Sequence, residues 1–288
     1  MNKPFRLKEV QSLLTKTSTP KMSPAVKSTK QDRIQDEELR KAVEQDEFVL
    51  HYQPQIEIAT GNVIGVEALV RWNHPEHGLI YPDYFIRRAE ELGLIDQLGW
   101  IVYDRGMQEV GQFADENGAV PMLSLNVSLH SLKDLNFPDR FVSLIEQNGM
   151  SAGNVTIEIT ESGLMEELSK TLDVLTRLRI RQVSLSIDDF GTGYAMMQQL
   201  QNVPATELKI DKSFVQNLQR NERDRVIAQK TIEIGHELGM KVVGEGVETQ
   251  EQMDFLRANH CDALQGYFFS RPLPAKDLLN WLGYYRSR

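Results

Sequence analysis

Two hydrophobic rhythms alternate along most of the chain. Short runs of β-branched and apolar residues recur, and between them apolar positions fall three and four apart. Phe48–Gln53 and Val63–Trp72 read as strands joined by the turn signal Thr60-Gly61-Asn62. A helix is expected after Pro82, with Phe85, Ile86, Ala89 and Leu92 on one face. A longer one follows through Leu98, Ile101, Val102 and Phe113. Further strands are expected at Met122–Val127, Val155–Ile159, Val183–Asp188, Thr206–Asp211 and Lys241–Glu245. Helical spacing separates them around Phe141–Ile145, Leu164–Leu178, Asp224–Leu238 and Gln250–Leu256, with a last helix near Leu278–Leu282. Strand-then-helix units in this number imply a parallel sheet. Over about 250 residues its natural closure is an α/β fold, a (β/α)8 TIM-like barrel, here with a short N-terminal helix and linker.

The first 35 residues break the rhythm. Thr15–Lys30 is rich in Ser, Thr, Pro and Lys and reads as a flexible linker. Phe5–Leu14, ahead of it, carries apolar residues at helical spacing. With Lys3-Pro4-Phe5 before it, this helix resembles the closing turn and last helix of a response-regulator receiver domain; an ordinary N-terminal helix fits the same residues. The expected organisation is therefore an N-terminal helix and linker over 1–35 and a barrel over 36–288. On the receiver reading, an upstream receiver domain or sensor kinase joins the partners.

Composition narrows the function. The 288 residues carry 32 Lys+Arg against 41 Asp+Glu, a net charge of −9, which argues against gripping DNA by backbone charge. No apolar run approaches the roughly 18 residues that span a bilayer, so no membrane partner is expected. Met1-Asn2-Lys3-Pro4-Phe5 lacks the apolar stretch of a secretory signal. The single Cys261 excludes an internal disulfide and fits a reducing compartment. A cytoplasmic enzyme is the expectation.

Six of the strands carry an ionisable or amide residue at or near the C-terminal end: Glu67, Asn126, Glu158, Asp188 with Asp189, Lys209 and Glu245. In a barrel those ends share one mouth. A single such residue is ordinarily a satisfied strand-end polar group. The set together points to a site, because an unpaired buried carboxylate costs several kcal/mol or takes up a proton. Five carboxylates at one mouth need cations. All-oxygen ligands without Cys or paired His favour a hard ion, Mg2+ or Mn2+. The adjacent Asp188-Asp189 suits two such ions, which would place an activated water in line with a phosphodiester.

At this point a family resemblance emerges. Val66-Glu67-Ala68-Leu69-Val70-Arg71-Trp72 resembles the signature of EAL-domain cyclic di-GMP phosphodiesterases. The similarity continues in order through Gln53-Pro54-Gln55, Leu125-Asn126-Val127-Ser128, Glu158-Ile159-Thr160-Glu161-Ser162 and Asp188–Tyr194. Leu208-Lys209-Ile210-Asp211, Gly244–Thr249 and Gln265-Gly266-Tyr267 complete it, over residues 37 to 285.

The resemblance implies that Glu67, Asn126, Glu158 and Asp188 bind a first metal. Asp188 would bridge to a second held by Asp189, with Glu245 nearby. Glu67, Lys209 and Glu245 are then the catalytic residues. Lys209 would orient the attacking water electrostatically, being too basic for a general base. Gln265, Gln53, Arg71 and Asp211 become substrate-binding residues, and Glu161 and Glu248 loop-stabilising ones. The implied reaction opens one phosphodiester of cyclic di-GMP to give linear pGpG, in a homodimer.

Three positions depart from the family pattern. Ala195 and Met196 stand where two serines are usual, which bears on loop ordering and rate but removes no metal ligand; Met196-Met197 also suits a helix core. Arg87 stands where Pro is frequent and reads as structural. Two other functions compete. A silent cyclic di-GMP receptor typically lacks metal ligands that this chain keeps. An enolase-like barrel fits poorly with the adjacent aspartates and the single strand-end lysine. Gly191-Thr192-Gly193 and Gly244-Glu245-Gly246 lack the third glycine of a dinucleotide fingerprint. His74 and His77 read as solvated surface-loop histidines rather than metal ligands, Arg220–Arg225 as a solvated helix start, and Tyr284-Tyr285-Arg286 as a packing tail.

Overall fold

Along the chain run helix α1 (Asp36–Glu44), strands β1 (Phe48–Glu57), β2 (Val63–His74) and β3 (Gly78–Ile80), then helices α2 (Ile86–Glu91) and α3 (Ile95–Val110). Next come β4 (Met122–Asn126), α4 (Phe137–Gln147), β5 (Val155–Thr160), α5 (Glu161–Ile180), β6 (Ser184–Phe190) and β7 (Glu207–Ile210). The remainder is α6 (Lys212–Gln216), α7 (Glu222–Glu237), β8 (Lys241–Gly244), α8 (Gln250–Ala258), β9 (Ala263–Gln265), β10 (Leu273–Pro274) and α9 (Ala275–Arg286). The structure is a computed structural model and describes residues 35–192 and 200–286, the side chains of 163 and 165–170 excepted. The expectations for the N-terminal helix and linker, and for Ala195, Met196 and Met197, lie outside the described residues. Among the described residues no helix is long and apolar enough to cross a membrane.

Eight strands close the barrel in the order β1-β9-β8-β7-β6-β5-β4-β2, with β2 pairing back onto β1. All the neighbouring pairs from β2 round to β9 are parallel, whereas β1 is antiparallel to both β2 and β9. The fold therefore departs from eight βα repeats in its first unit. A tight turn suffices between antiparallel strands, whereas parallel ones require a crossover helix. The signal at Thr60-Gly61-Asn62 supplies that turn, with Gly61 in the left-handed region at φ 74°.

Strand β2 outruns the barrel, and its last residues pair with β3, Trp72 opposite Ile80. Glu67 is consequently mid-strand rather than at the strand end, yet it lies opposite Ser124 of β4, level with its neighbours. Alternation sends Leu123, Leu125, Ile157, Leu185, Ile187 and Leu208 outward into the apolar layer beneath the helices, where all are buried. The opposite face of the same strands carries buried Ser124, Thr156 and Ser186, so the barrel interior is polar. An apolar-out, polar-in barrel keeps its stability in the helix layer and leaves its lumen for chemistry.

Five elements were not expected: α1, β3, α6, β9 and β10. Helix α1 buries Leu39 and Ala42 and is tied to α2 by the Arg88–Asp36 ion pair. Strand β9 has three residues, too few to show alternation. Two readings need correction, those of His74 and Arg87. His74 is buried at the end of β2 rather than solvated. Its Nδ1 accepts the backbone N–H of Glu76 and of His77, so the proton of the neutral ring is on Nε2, which faces Glu38 at 3.9 Å. Glu38, His74 and His77 cluster closely, but neither ring nitrogen of His74 offers a free lone pair. Arg87 is an 89% exposed side chain paired with Glu91, hence a surface residue. The C-terminal residues belong to α9, where Tyr285 stacks on Trp281 and donates to the Gly61 carbonyl.

Candidate active site

Lys209 is the third residue of β7 and points into the barrel, fully buried. Its Nζ lies 2.6 Å from Glu245 Oε1, 3.0 Å from Glu158 Oε2, 3.3 Å from Glu67 Oε2 and 3.5 Å from Asp188 Oδ1. One ammonium thus faces carboxylates from four other parts of the chain. Glu67 also accepts from Gln265 Nε2 at 2.6 Å and from Asn126 Nδ2 at 2.8 Å. Gln265 in turn donates to Gln53 Oε1 and accepts from Gln55 Nε2, while Gln53 Nε2 donates to the Ser270 carbonyl. Oxygens of Asp188, Asp189 and Glu245 lie within 4.8 Å of one another.

The electrostatics follow from one cation among too many anions. Burial, reinforced by Asp188, pushes Asp189 up to about 6. Burial outweighs the pull of Lys209 at Glu245, which Asp188 and Glu67 help to raise to about 8. Burial and Glu67 hold Glu158 well above the carboxylate range. Glu67 goes the other way: burial opposes ionisation, but Lys209 and the Gln265 and Asn126 donors keep it low. Burial would lower Lys209, yet the surrounding carboxylates raise it well above an ordinary lysine. Lys209 is therefore a permanent cation here.

Glu158 Oε1 and Asp188 Oδ1 are buried without a hydrogen-bond partner. Buried lone pairs of this kind ordinarily find one. Two such oxygens, in a cluster where burial holds Glu158 and Glu245 well above the ordinary carboxylate range, form a donor set suited to a hard divalent cation.

The other expected residues fall into three groups. Gln53 and Arg71 line the same cavity of about 870 Å³ as Glu67, Asp188 and Glu245, within the range of small-molecule sites. Arg71 is buried, donates Nη1 to the Val70 carbonyl, lies over the Tyr81 ring at 4.9 Å, and leaves Nε without a partner. Glu161, the first residue of α5, accepts the Gly191 N–H at 2.8 Å and so ties down the loop that follows Asp189. Gly191 has φ 103°, and a Cβ there would meet the Phe214 ring at 2.8 Å. Asp211 is not brought to the cavity. It caps α6 by accepting the Ser213 N–H at 3.0 Å, and it hydrogen-bonds Asp189. Glu248 is exposed and accepts from Gln216 Nε2 at 3.2 Å. Sequence reasoning gave no role to Gln55; its place two residues after Gln53, on the same face of β1, was the available signal.

The EAL domain profile matches residues 36–272. The chain belongs to the EAL domain family. This EAL domain is 43% identical over 256 residues to the cyclic di-GMP phosphodiesterase NbdA of Pseudomonas aeruginosa, a match covering 89% of the chain and 33% of NbdA. It is 30% identical over 281 residues to the cyclic di-GMP phosphodiesterase RocR of the same organism, covering 98% of the chain and 71% of RocR. Among solved structures, the PaMucR phosphodiesterase in complex with c-di-GMP superposes with a TM-score of 0.80 at 38% identity, over 84% of this chain and 98% of that one. The EAL enzyme Bd1971, with cAMP and cyclic di-GMP bound, gives 0.81 at 29% identity, over 86% of this chain and 68% of the other. The EAL domain spans about a third of the length of several curated relatives, 33% of NbdA among them.

Proposed function

We propose that this EAL domain is a metal-dependent phosphodiesterase that hydrolyses one diester of cyclic di-GMP to linear pGpG. The observation that carries the reading is the cage of Glu67, Glu158, Asp188 and Glu245 around a buried Lys209, with buried oxygens of Glu158 and Asp188 left unpartnered. Glu67, Asn126, Glu158 and Asp188 would hold one Mg2+ or Mn2+, and Asp188, Asp189 and Glu245 a second. Such ions supply Lewis-acid charge to the phosphoryl oxygens and make a water acidic enough to attack near neutral pH.

The protein's own groups do the rest. Lys209 remains charged and aims N–H donors at the reaction centre, an electrostatic and orienting role rather than that of a base. Gln265 fixes Glu67 through its amide, and Gln53 and Gln55 hold Gln265 in turn. The buried Arg71 guanidinium, with its Nε unpartnered, faces an anionic ligand from the cavity wall. Chromatography of cyclic di-GMP incubated with the protein, with Mg2+ or Mn2+ and with EDTA, tests the reading. Metal-dependent appearance of pGpG is expected. Tight binding without turnover in either ion would make this EAL domain a receptor instead.

A further inference from the structure

We propose that His130, fixed by Asp96, is a specificity-determining residue that reads the guanine base of the ligand. The inference rests on the cyclic di-GMP reading above and adds to it a recognition contact outside the metal cage. His130 follows β4 by four residues and lines the same cavity as Glu67 and Asp188. Its Nδ1 lies 2.8 Å from Asp96 Oδ2. A carboxylate only accepts, so Nδ1 carries the proton of the neutral ring and Nε2 is left as an acceptor. Nε2 has no partner among the described residues.

The dyad is held from behind. Ser131 Oγ donates to the other Asp96 oxygen at 2.6 Å, and the His130 N–H is taken by Ser128 Oγ. The Ser131 hydroxyl stands against the buried Tyr103 phenol. Gly99 makes room for that phenol, since a Cβ there would sit 2.9 Å from the Tyr103 oxygen. Ser131 and Tyr103 are nearly sealed, whereas the His130 side chain is 63% exposed. A rigid, buried support beneath one solvent-facing acceptor is the arrangement a recognition contact needs.

The neighbouring walls specify the ligand chemistry. Ile95, Leu98, Val102 and Leu129 line the same cavity as His130, an apolar surface suited to the face of a nucleobase rather than to a phosphate. A single acceptor at its edge complements the N1–H and exocyclic amine of guanine. Adenine has no N1–H, and its amine lies elsewhere on the ring.

The test is discrimination between bases. Affinities for cyclic di-GMP and cyclic di-AMP are measured by calorimetry with Ca2+ present, so that no turnover is needed. In His130→Ala the preference for cyclic di-GMP should fall about fivefold to tenfold. His130→Gln, which retains an acceptor, should recover part of it. General damage to the fold would weaken both ligands together and leave their ratio unchanged. A preference that survives both substitutions sinks this proposal alone, whereas an unaltered protein that bound neither ligand would fail the phosphodiesterase reading with it.

Discussion

Lys209 illustrates how much one side chain can organise. A buried ammonium is tolerated only with partners, and removing one member of a buried charged set costs about 3–5 kcal/mol because the rest is left uncompensated. Lys209→Met should therefore lower the melting temperature of the metal-free protein sharply, and saturating Mn2+ should restore most of the loss by replacing the missing positive charge. The same variant should lose kcat far more than KM. A metal-free melting temperature equal to that of the unaltered protein would contradict the cage. Glu161 makes a subtler case. Glu161→Ala removes the acceptor for the Gly191 N–H, and supporting contacts to ligand-bearing loops typically contribute tenfold to a hundredfold in metal affinity. Calorimetric titration with Mn2+ should show that loss, and Glu161→Gln, which keeps an acceptor oxygen, should show less.

Among the elements, the three-residue strand β9 is tightly constrained. Strand β9 brings Gln265 to Glu67, and Gly266 directly after it crosses the backbone of Val247 so closely that a Cβ would lie 2.1 Å from the Val247 carbonyl oxygen. Backbone cannot yield as a side-chain tip can, so Gly266→Ala should destabilise the fold by several degrees and displace Gln265. Thermal melts and turnover of the purified variant check it, and near-normal values for both would refute the close crossing. Long strands and amphipathic helices were legible because their periodicity is local: the inward Glu158 and Asp188 and the outward Ile157 and Ile187 alternate in plain sight. Three-residue β9 has no period to read. The Asp96–His130 contact was invisible for another reason, because a polar pair 34 residues apart leaves no trace in either local pattern. Asp211 shows the reverse hazard: a motif residue near the site whose carboxylate caps a helix.

For the molecule as a whole, the excess of acid in the barrel makes stability depend on pH and on metal together. Asp189 at about 6 and Glu245 at about 8 are both above the ordinary carboxylate range of about 4 that holds in the unfolded chain. A carboxyl raised on folding contributes stability that is full below the unfolded value and is lost as pH climbs through the folded one. The metal-free protein should thus melt at progressively lower temperature between about pH 5 and pH 9. With Mn2+ the trend should flatten or reverse, and binding at pH 7 should release protons, detectable by calorimetry in buffers of different ionisation enthalpy. A metal-free melting temperature independent of pH would oppose this.

The reversed first strand also has a mechanical consequence. Because β1 runs against its neighbours, it begins beside Trp72, on the catalytic side of the barrel, and descends from there. Helix α1, tied to α2 by the Arg88–Asp36 ion pair, is the step just before that descent. Gln53 lies only five residues into the same strand, hydrogen-bonded to the amide that steadies Glu67. Torque applied to α1 would pass straight into β1, one strand of the barrel wall, and from Gln53 through the Gln265 amide to the Glu67 carboxylate.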